Sequence, residues 1–337
     1  MESGRGEGGA LTDIPHPRET FEWIGPAAPE DAFADALDRG RLHHAWLVTG
    51  PSGVGKATFA YRAARRLLGA PPDDQWGRLG ASADDPVSRR IAVRAAPDLL
   101  VLQTQPEDGK TRRFIPAEEA REVAGFFSKS PAAAPFRVAI IDSADDLNTH
   151  AANAVLKILE EPPSRGVIFL LSSSPGGLLA TIRSRCRRLA ISPPPRPQAV
   201  QWLTERAGTS ADQAEILLDM ARGAPGGGWR LAEAGALDAD RAAAELLDSI
   251  GKPDAGKLQS LADGFRGAAG ASRFSLVLDR LADHVRRRAA AEVDPSRAAR
   301  LAEAWTALVE APGRADAINL DRGEVFLNVL SRLRAIA

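Results

Sequence analysis

The 337-residue chain has one cysteine, one tyrosine and two methionines, and only six of its 43 basic residues are lysine. A single thiol, Cys186, forbids an intrachain disulfide and any site needing several thiolates. The five histidines are scattered, so no zinc or other metal site is expected. The longest apolar runs, Val167 to Leu171 and Val138 to Ile141, fall far short of the ~18 residues a membrane span needs. Met1 to Ala10 is glycine-rich, carries Glu2 and Glu7, and lacks the basic and apolar regions of a secretory signal. A cytoplasmic protein with no membrane partner is the expectation. Forty-three Lys and Arg against 44 Asp and Glu give a net charge of -1, which offers no global attraction for nucleic acid but leaves room for a local basic face. The excess of arginine over lysine reads as coding bias before function.

With 44% hydrophobic and 26% charged residues the composition is globular, and the length suggests two or three domains. From about Thr20 to Leu189 short apolar strands alternate with amphipathic helices, the pattern of a mostly parallel α/β sheet domain. Ser192-Pro193-Pro194-Pro195-Arg196-Pro197 cannot continue a helix or a central strand, which sets a boundary. Beyond it the chain reads as all α, with helices over Gln198 to Arg206, Ala211 to Arg222, Trp229 to Ala236, Asp240 to Ile250, Phe274 to Ala290, Ser296 to Glu310 and Gly323 to Ile336. Breaks at Gly223 to Gly228, Lys252-Pro253 and Ala311-Pro312-Gly313 separate them. The division is a flexible tail over 1–15, an α/β domain over 16–192, a small helical domain over 193–238 and a larger one over 239–337. Apolar stripes such as Phe274, Leu276, Val277, Leu281 and Val285, or Val325, Phe326, Val329, Leu330 and Leu333, belong to a core or to a subunit interface.

The sharpest local signal is the apolar strand Ala45 to Thr49, then Gly50-Pro51-Ser52-Gly53-Val54-Gly55-Lys56-Ala57-Thr58, then an amphipathic helix. Strand, glycine-rich turn and helix are the context in which a loop wraps phosphate with inward amides, and Lys56 would reach the outer phosphates. Gly50, Ser52, Gly53, Gly55, Lys56 and Thr58 are therefore candidate nucleotide-binding residues. The pattern wants a hydroxyl directly after the lysine to hold Mg²⁺, and Ala57 stands there. Thr58 lies ~100° further round the helix. The loop either holds ATP or ADP or survives as a packing turn.

A second apolar strand, Arg137 to Ile141, ends in Asp142, which in P-loop enzymes would position Mg²⁺. The next place, where a glutamate would orient the attacking water, is Ser143, and a serine is no substitute for a carboxylate base. Asp145 and Asp146 read as solvated or helix-capping residues, not as replacements. Then comes Leu147-Asn148-Thr149-His150-Ala151-Ala152-Asn153-Ala154-Val155-Leu156-Lys157-Ile158-Leu159-Glu160-Glu161-Pro162-Pro163, a helix capped by Asn148, with an apolar stripe, ended by two prolines.

That wording, A-N-A-V-L-K-I-L-E-E-P-P, resembles the hallmark of the bacterial clamp-loader family, the gamma, tau and delta prime group of DNA polymerase III subunits. The strand Val167 to Ser173 is similar to the family's first sensor strand, with Ser173 the candidate polar sensor. Leu179-Ala180-Thr181-Ile182-Arg183-Ser184-Arg185-Cys186 is similar to its T-I-x-S-R-C. The resemblance implies an AAA+ sheet domain, a helical lid over 193–238 and a C-terminal collar over 239–337. It also implies that Arg185, with Ser184 beside it, is a finger pointing into a neighbouring subunit's ATP site, where a guanidinium supplied in trans stabilises phosphoryl charge. Arg183, Arg187 and Arg188 lie beside it, so a solvated basic turn is the plainer alternative. Cys186 reads as a small buried apolar residue.

Several family parts are missing. The four-cysteine zinc module has no counterpart in 69–98, and the lid's phosphate-sensing arginine falls on Gly226 of Gly223-Ala224-Pro225-Gly226-Gly227-Gly228-Trp229-Arg230, leaving Arg230 on the surface. Loss of the Mg²⁺ hydroxyl, the acidic base and this arginine, with S-R-C retained, sides with the delta prime branch, as do Arg41 to Leu47 and Ile318 to Asp321. The resemblance runs from Ile24, strongly to Arg188 and weakly beyond. It implies a subunit that requires no cofactor of its own. Its partners would be gamma or tau and delta, and through the complex the sliding clamp and primer-template DNA. An ATP-hydrolysing gamma/tau-like motor is the alternative, and a P-loop kinase would leave the S-R-C turn unexplained.

Overall fold

The computed structural model describes residues 14–104, 106–107, 110–111 and 114–336. The tail expected over 1–15 thus lies outside the described residues but for Ile14 and Pro15. The chain divides into two compact units, one ending at Gly228 and one beginning at Trp229.

The first unit is built on strands β1 (Ala45–Thr49), β2 (Leu99–Gln103), β5 (Arg137–Asp142), β6 (Gly166–Ser172) and β7 (Arg187–Ala190), which form one sheet in the order β2-β5-β6-β1-β7. Every pairing in it is parallel, with Trp46 opposite Phe169 and Ile140 opposite the same Phe169. The strands β3 (Pro106–Glu107) and β4 (Lys110–Thr111) make a separate antiparallel pair. Parallel strands need crossover connections, and helices covering both faces force the central strands to be apolar throughout. The interiors of β1, β5 and β6 follow this: Trp46, Val48, Val138, Ile140, Val167, Phe169 and Leu171 enter one core, while Leu47, Ala139, Ile141, Ile168 and Leu170 enter the other, and polar residues are confined to the strand ends.

Helices α1 (Ala27–Asp38), α2 (Lys56–Leu67) and α3 (Pro86–Ala92) cover the first face, and Phe33, Trp46, Phe59 and Phe169 form a ring cluster with centroid separations of 5.0 to 6.5 Å. Helices α4 (Ala117–Phe127), α5 (Thr149–Glu160) and α6 (Ala180–Arg185) serve the second through Val123, Val155, Ile158 and Ile182. Asn148 caps α5, its Oδ1 accepting from the Ala151 amide at 2.8 Å.

The segment 69–98 has a structural role that the sequence did not disclose. Leu79, Ala81, Val87 and Ile91 are buried in the first core. Arg62 on α2 is buried, bonds to the Glu30 carboxylate at 2.6 Å, and donates to the carbonyls of Phe21 and Trp76. Its neighbour Arg65 lies 4.1 Å above the Phe21 ring and donates to Thr20 O at 3.3 Å; burial, with Arg62 beside it, lowers its pKa to about 10. Two buried arginines thereby fasten the approach to α1 and the 69–98 excursion to the back of α2.

Residues 193–228 belong to the first compact unit. Helices α7 (Arg196–Ala207) and α8 (Ala211–Met220) pair with each other, and α9 (Pro225–Glu233) straddles the division after Gly228. The division between the two compact units falls after Gly228, beside the expected boundaries after 192 and 238. The proline run is no obstacle to α7, because Pro197 falls in its first turn, where no amide partner is needed. Ser210 and Gln213 make a reciprocal capping box at the start of α8.

The second unit holds α10 (Ala236–Asp248), α11 (Ala255–Asp263), α12 (Gly267–Ala291), α13 (Pro295–Ala317) and α14 (Arg322–Arg334). Phe265 meets Phe274 and Phe326 edge-on at 5.4 and 5.1 Å in a core that includes Val277, Leu281, Val285, Leu308, Val329, Leu330 and Leu333. Two expectations fail here. Helix α11 is not among the helices expected from the sequence, and Asp254 caps it by accepting from Gly256 N at 2.8 Å. Helix α13 runs straight through Pro312, because its buried stripe Leu301, Ala304, Leu308, Ala311 and Ala315 continues on both sides of the proline. Among the described residues, no helix is long and apolar enough to cross a membrane.

Candidate functional site

The loop after β1 lies at the carboxyl edge of the parallel sheet, where such folds place ligands. Three glycines shape it. A Cβ at Gly50 would come within 2.3 Å of Ile191 O, Gly53 has φ +82°, and Gly55, at +101°, caps α2. Lys56 opens that helix and turns back into its own loop. Its Nζ donates to Gly50 O at 2.9 Å, Pro51 O at 3.0 Å and the Ser173 hydroxyl at 2.8 Å. An ammonium has three hydrogens, and these acceptors match them. Ser173, named from sequence as a polar sensor, is thus brought to the lysine. Ser52 is exposed on the loop, and Thr58 is half-buried on α2 one residue past Ala57.

The neighbouring strand end supplies Asp142, half-buried, and then Ser143, whose hydroxyl donates to Leu171 O at 3.2 Å and accepts from the Asp145 amide at 3.1 Å. Ser143 is a cap for the turn that follows. Asp145, half-buried, does more than the solvated or helix-capping role expected from the sequence. Its carboxylate accepts from the Ser172 hydroxyl at 2.5 Å and from the amides of Ser173 and Ser174 at 2.6 and 3.2 Å. It ties the β5 loop to the end of β6, and its lone pairs are directed at those donors. Burial, reinforced by Asp145, pushes the Asp146 carboxyl up.

The start of α9 lies directly on the loop. The Gly226 amide donates to Gly53 O at 3.1 Å. A Cβ on Gly53 would sit 2.0 Å from Gly227 N, one on Gly226 would sit 2.9 Å from Gly53 O, and one on Gly227 would sit 2.8 Å from Ser52 O. Only residues without side chains allow this approach. The place where the family resemblance put a phosphate-sensing arginine is therefore occupied by backbone against backbone, and Arg230 is exposed. These residues do not fit an ATP–Mg²⁺ unit: the metal hydroxyl, the carboxylate base and the lid arginine are Ala57, Ser143 and Gly226.

Arg185 and Ser184 are elsewhere. Strand β7 starts with Arg187 opposite Trp46, whereas Ala190 is opposite Thr49, the last residue before the loop. The end of α6 consequently lies at the amino edge of the sheet, about 15 Å of strand away from the carboxyl edge at ~3.3 Å per residue. The Arg185 side chain is 37% exposed; its Nη2 is 3.0 Å from Glu160 Oε1 and its Nη1 donates to Thr181 O at 3.1 Å. The Ser184 hydroxyl donates back to Thr181 O at 3.1 Å, so it secures the turn locally. The adjacent arginines are committed differently. Arg183 donates to the carbonyls of Pro175, Gly176 and Leu178, and the Arg187 guanidinium lies 4.9 Å above the Trp46 ring. Burial pushes the Cys186 thiol up to about 12, which keeps it protonated and unreactive. Among the described residues no group of three or more His, Cys, Asp or Glu could hold a metal ion.

A parallel α/β domain with a glycine-rich phosphate loop, an apolar strand ending in Asp142 and a helical remainder defines a P-loop protein of the AAA+ class. Its family is shown by sequence comparison: the family model described as DNA polymerase III, delta subunit, matches residues 26–195, and the chain belongs to that family of clamp-loader subunits. DNA polymerase III subunit delta' of Pseudomonas aeruginosa is 32% identical over 188 residues, 56% of this chain and 55% of the relative. The corresponding subunit of Escherichia coli is 32% identical over 206 residues, 61% of this chain and 59% of the relative. DNA polymerase III subunit gamma of Buchnera aphidicola is 36% identical over 163 residues, 48% and 42% of the two chains. The chain thus spans little more than half the length of the first two relatives.

Proposed function

We propose that this chain is the delta prime-type stator of a DNA polymerase III clamp loader. It lends Arg185 to the ATP site of an adjoining gamma or tau subunit and turns over no ATP of its own. One observation carries the reading: Arg185 is solvent-accessible at the amino edge of the sheet, while the chain's own phosphate loop is at the carboxyl edge. A guanidinium so placed has no phosphate of its own to serve, and a neighbour's phosphate is the natural partner for its fork. The self-satisfied Lys56 and the glycines of α9 resting on Gly53 support the other half of the reading, a loop that requires no nucleotide. Opening the sliding clamp on primer-template DNA then belongs to the assembly, in the cytoplasm. Reconstitution with gamma or tau and delta tests this: Arg185→Ala should assemble normally and depress clamp-stimulated ATP hydrolysis.

The second reading, a gamma/tau-like motor, is favoured by the 36% identity to a gamma subunit and by the retained Lys56. Magnesium-dependent turnover by the isolated chain, abolished by Lys56→Ala, would establish it. The stator reading expects no turnover above background.

A further inference from the structure

Arg185 does not reach out of the molecule unsupported. Glu160, whose Oε1 is 3.0 Å from Arg185 Nη2, is the last residue of α5, and Pro162-Pro163 follow two places on. Helix α5 is fixed to the sheet by Ala151, Val155, Ile158 and Leu159, all buried, so the carboxylate comes from a rigid mount and not from a loop. The C-terminal end of a helix also carries negative potential, which attracts the same guanidinium. On the other side the Thr181 carbonyl takes a hydrogen from Nη1. Each contact uses one of the two hydrogens on its nitrogen. One hydrogen on each Nη and the one on Nε remain to meet an anion from outside.

We propose that Glu160 is the positioning residue for Arg185: its carboxylate, presented by the end of α5, holds the guanidinium outward and keeps hold of it while a neighbouring subunit's phosphoryl oxygens take the remaining donors. This rests on the finger reading of Arg185 given above. An exposed ion pair of this kind adds little to folding stability. Orientation is another matter, because an arginine side chain is rotamer-rich and a misplacement of ~1 Å at a reacting centre costs about 100-fold in rate. The pair should therefore be nearly silent in folding and audible in catalysis.

The test uses the full chain reconstituted with its ATP-hydrolysing partner. Glu160→Ala should lower kcat for stimulated ATP hydrolysis by about tenfold, an effect smaller than complete misplacement. KM for ATP, complex formation and the melting temperature of the chain should stay at wild-type values. Glu160→Gln, which keeps an acceptor but not the charge, should fall between. On an Arg185→Ala background Glu160→Ala should produce no further loss. A wild-type kcat for Glu160→Ala, beside an impaired Arg185→Ala, would overturn the role of Glu160 and leave the finger standing. A full Glu160→Ala loss on the Arg185→Ala background would also overturn it, since Glu160 would then act through something else. An unimpaired Arg185→Ala would remove the finger reading, and this inference with it.

Discussion

Two arginine–glutamate pairs in the same α/β unit do opposite work. Arg62 and Glu30 meet at 2.6 Å with side chains 1% and 4% exposed, while Arg185 and Glu160 meet at 3.0 Å with 37% and 45% exposed. The first pair has no water to fall back on. Its charges are committed to each other and to the carbonyls of Phe21 and Trp76. The second keeps its outer donors in solvent and can accept an anion without first losing a partner. Burial turns one ion pair into architecture, and exposure leaves the other available for recognition.

The largest effect should come from the buried pair. Glu30→Ala leaves the Arg62 charge enclosed without its counter-ion and is expected to remove about 3–5 kcal/mol of stability, read by urea denaturation. Wild-type stability in that variant would erase the contrast between the pairs. Gly53→Ala comes next. It forces a side chain into φ +82° and against the Gly227 backbone, and should destabilise by roughly 1–3 kcal/mol. A neutral effect would mean that α9 does not rest on the loop in solution.

A third effect depends on pH. Burial alone would raise the Asp98 carboxyl, but the amides of Ala132, Ala133 and Ala134, with Arg137, outweigh it and hold it below its ordinary 3.8. The folded form therefore binds fewer protons than the unfolded one. Its contribution is complete above the ordinary value and is lost as pH falls through the lowered one. Asp98→Asn should flatten the stability profile in that acid range; an unchanged slope would exclude the residue as its source. The smallest effect is expected at the exposed pair, where Glu160→Ala should cost no more than ~1 kcal/mol in the same denaturation.

The departures from the family's motifs were legible in the sequence because each stands at a fixed place in a short pattern: Ala57 after Lys56, Ser143 after Asp142, Gly226 in the glycine run before Trp229. The parallel sheet was legible for a similar reason, since two-sided burial writes continuous apolar runs such as Val167 to Leu171. Contacts between distant segments left no such mark. Glu30 and Arg62 are 32 positions apart and Glu160 and Arg185 are 25 apart, and no local pattern links either pair. That Gly226 rests on Gly53 was equally hidden, although a run of three glycines at the start of a helix was a sign that something approaches closely. Pro312 misled because proline ordinarily stops a helix, and the apolar spacing from Leu301 to Ala315 was the signal that overrode it.

The division of labour stands or falls on Arg185. Single-turnover ATP hydrolysis should be measured in the reconstituted assembly with wild type, Arg185→Ala and Arg185→Lys side by side, each with complex formation verified. An arginine finger is worth on the order of 10³-fold at the site it serves, and lysine lacks the planar fork, so both variants should be depressed at one ATP site while assembling normally. Wild-type hydrolysis by the Arg185→Ala assembly would contradict the account.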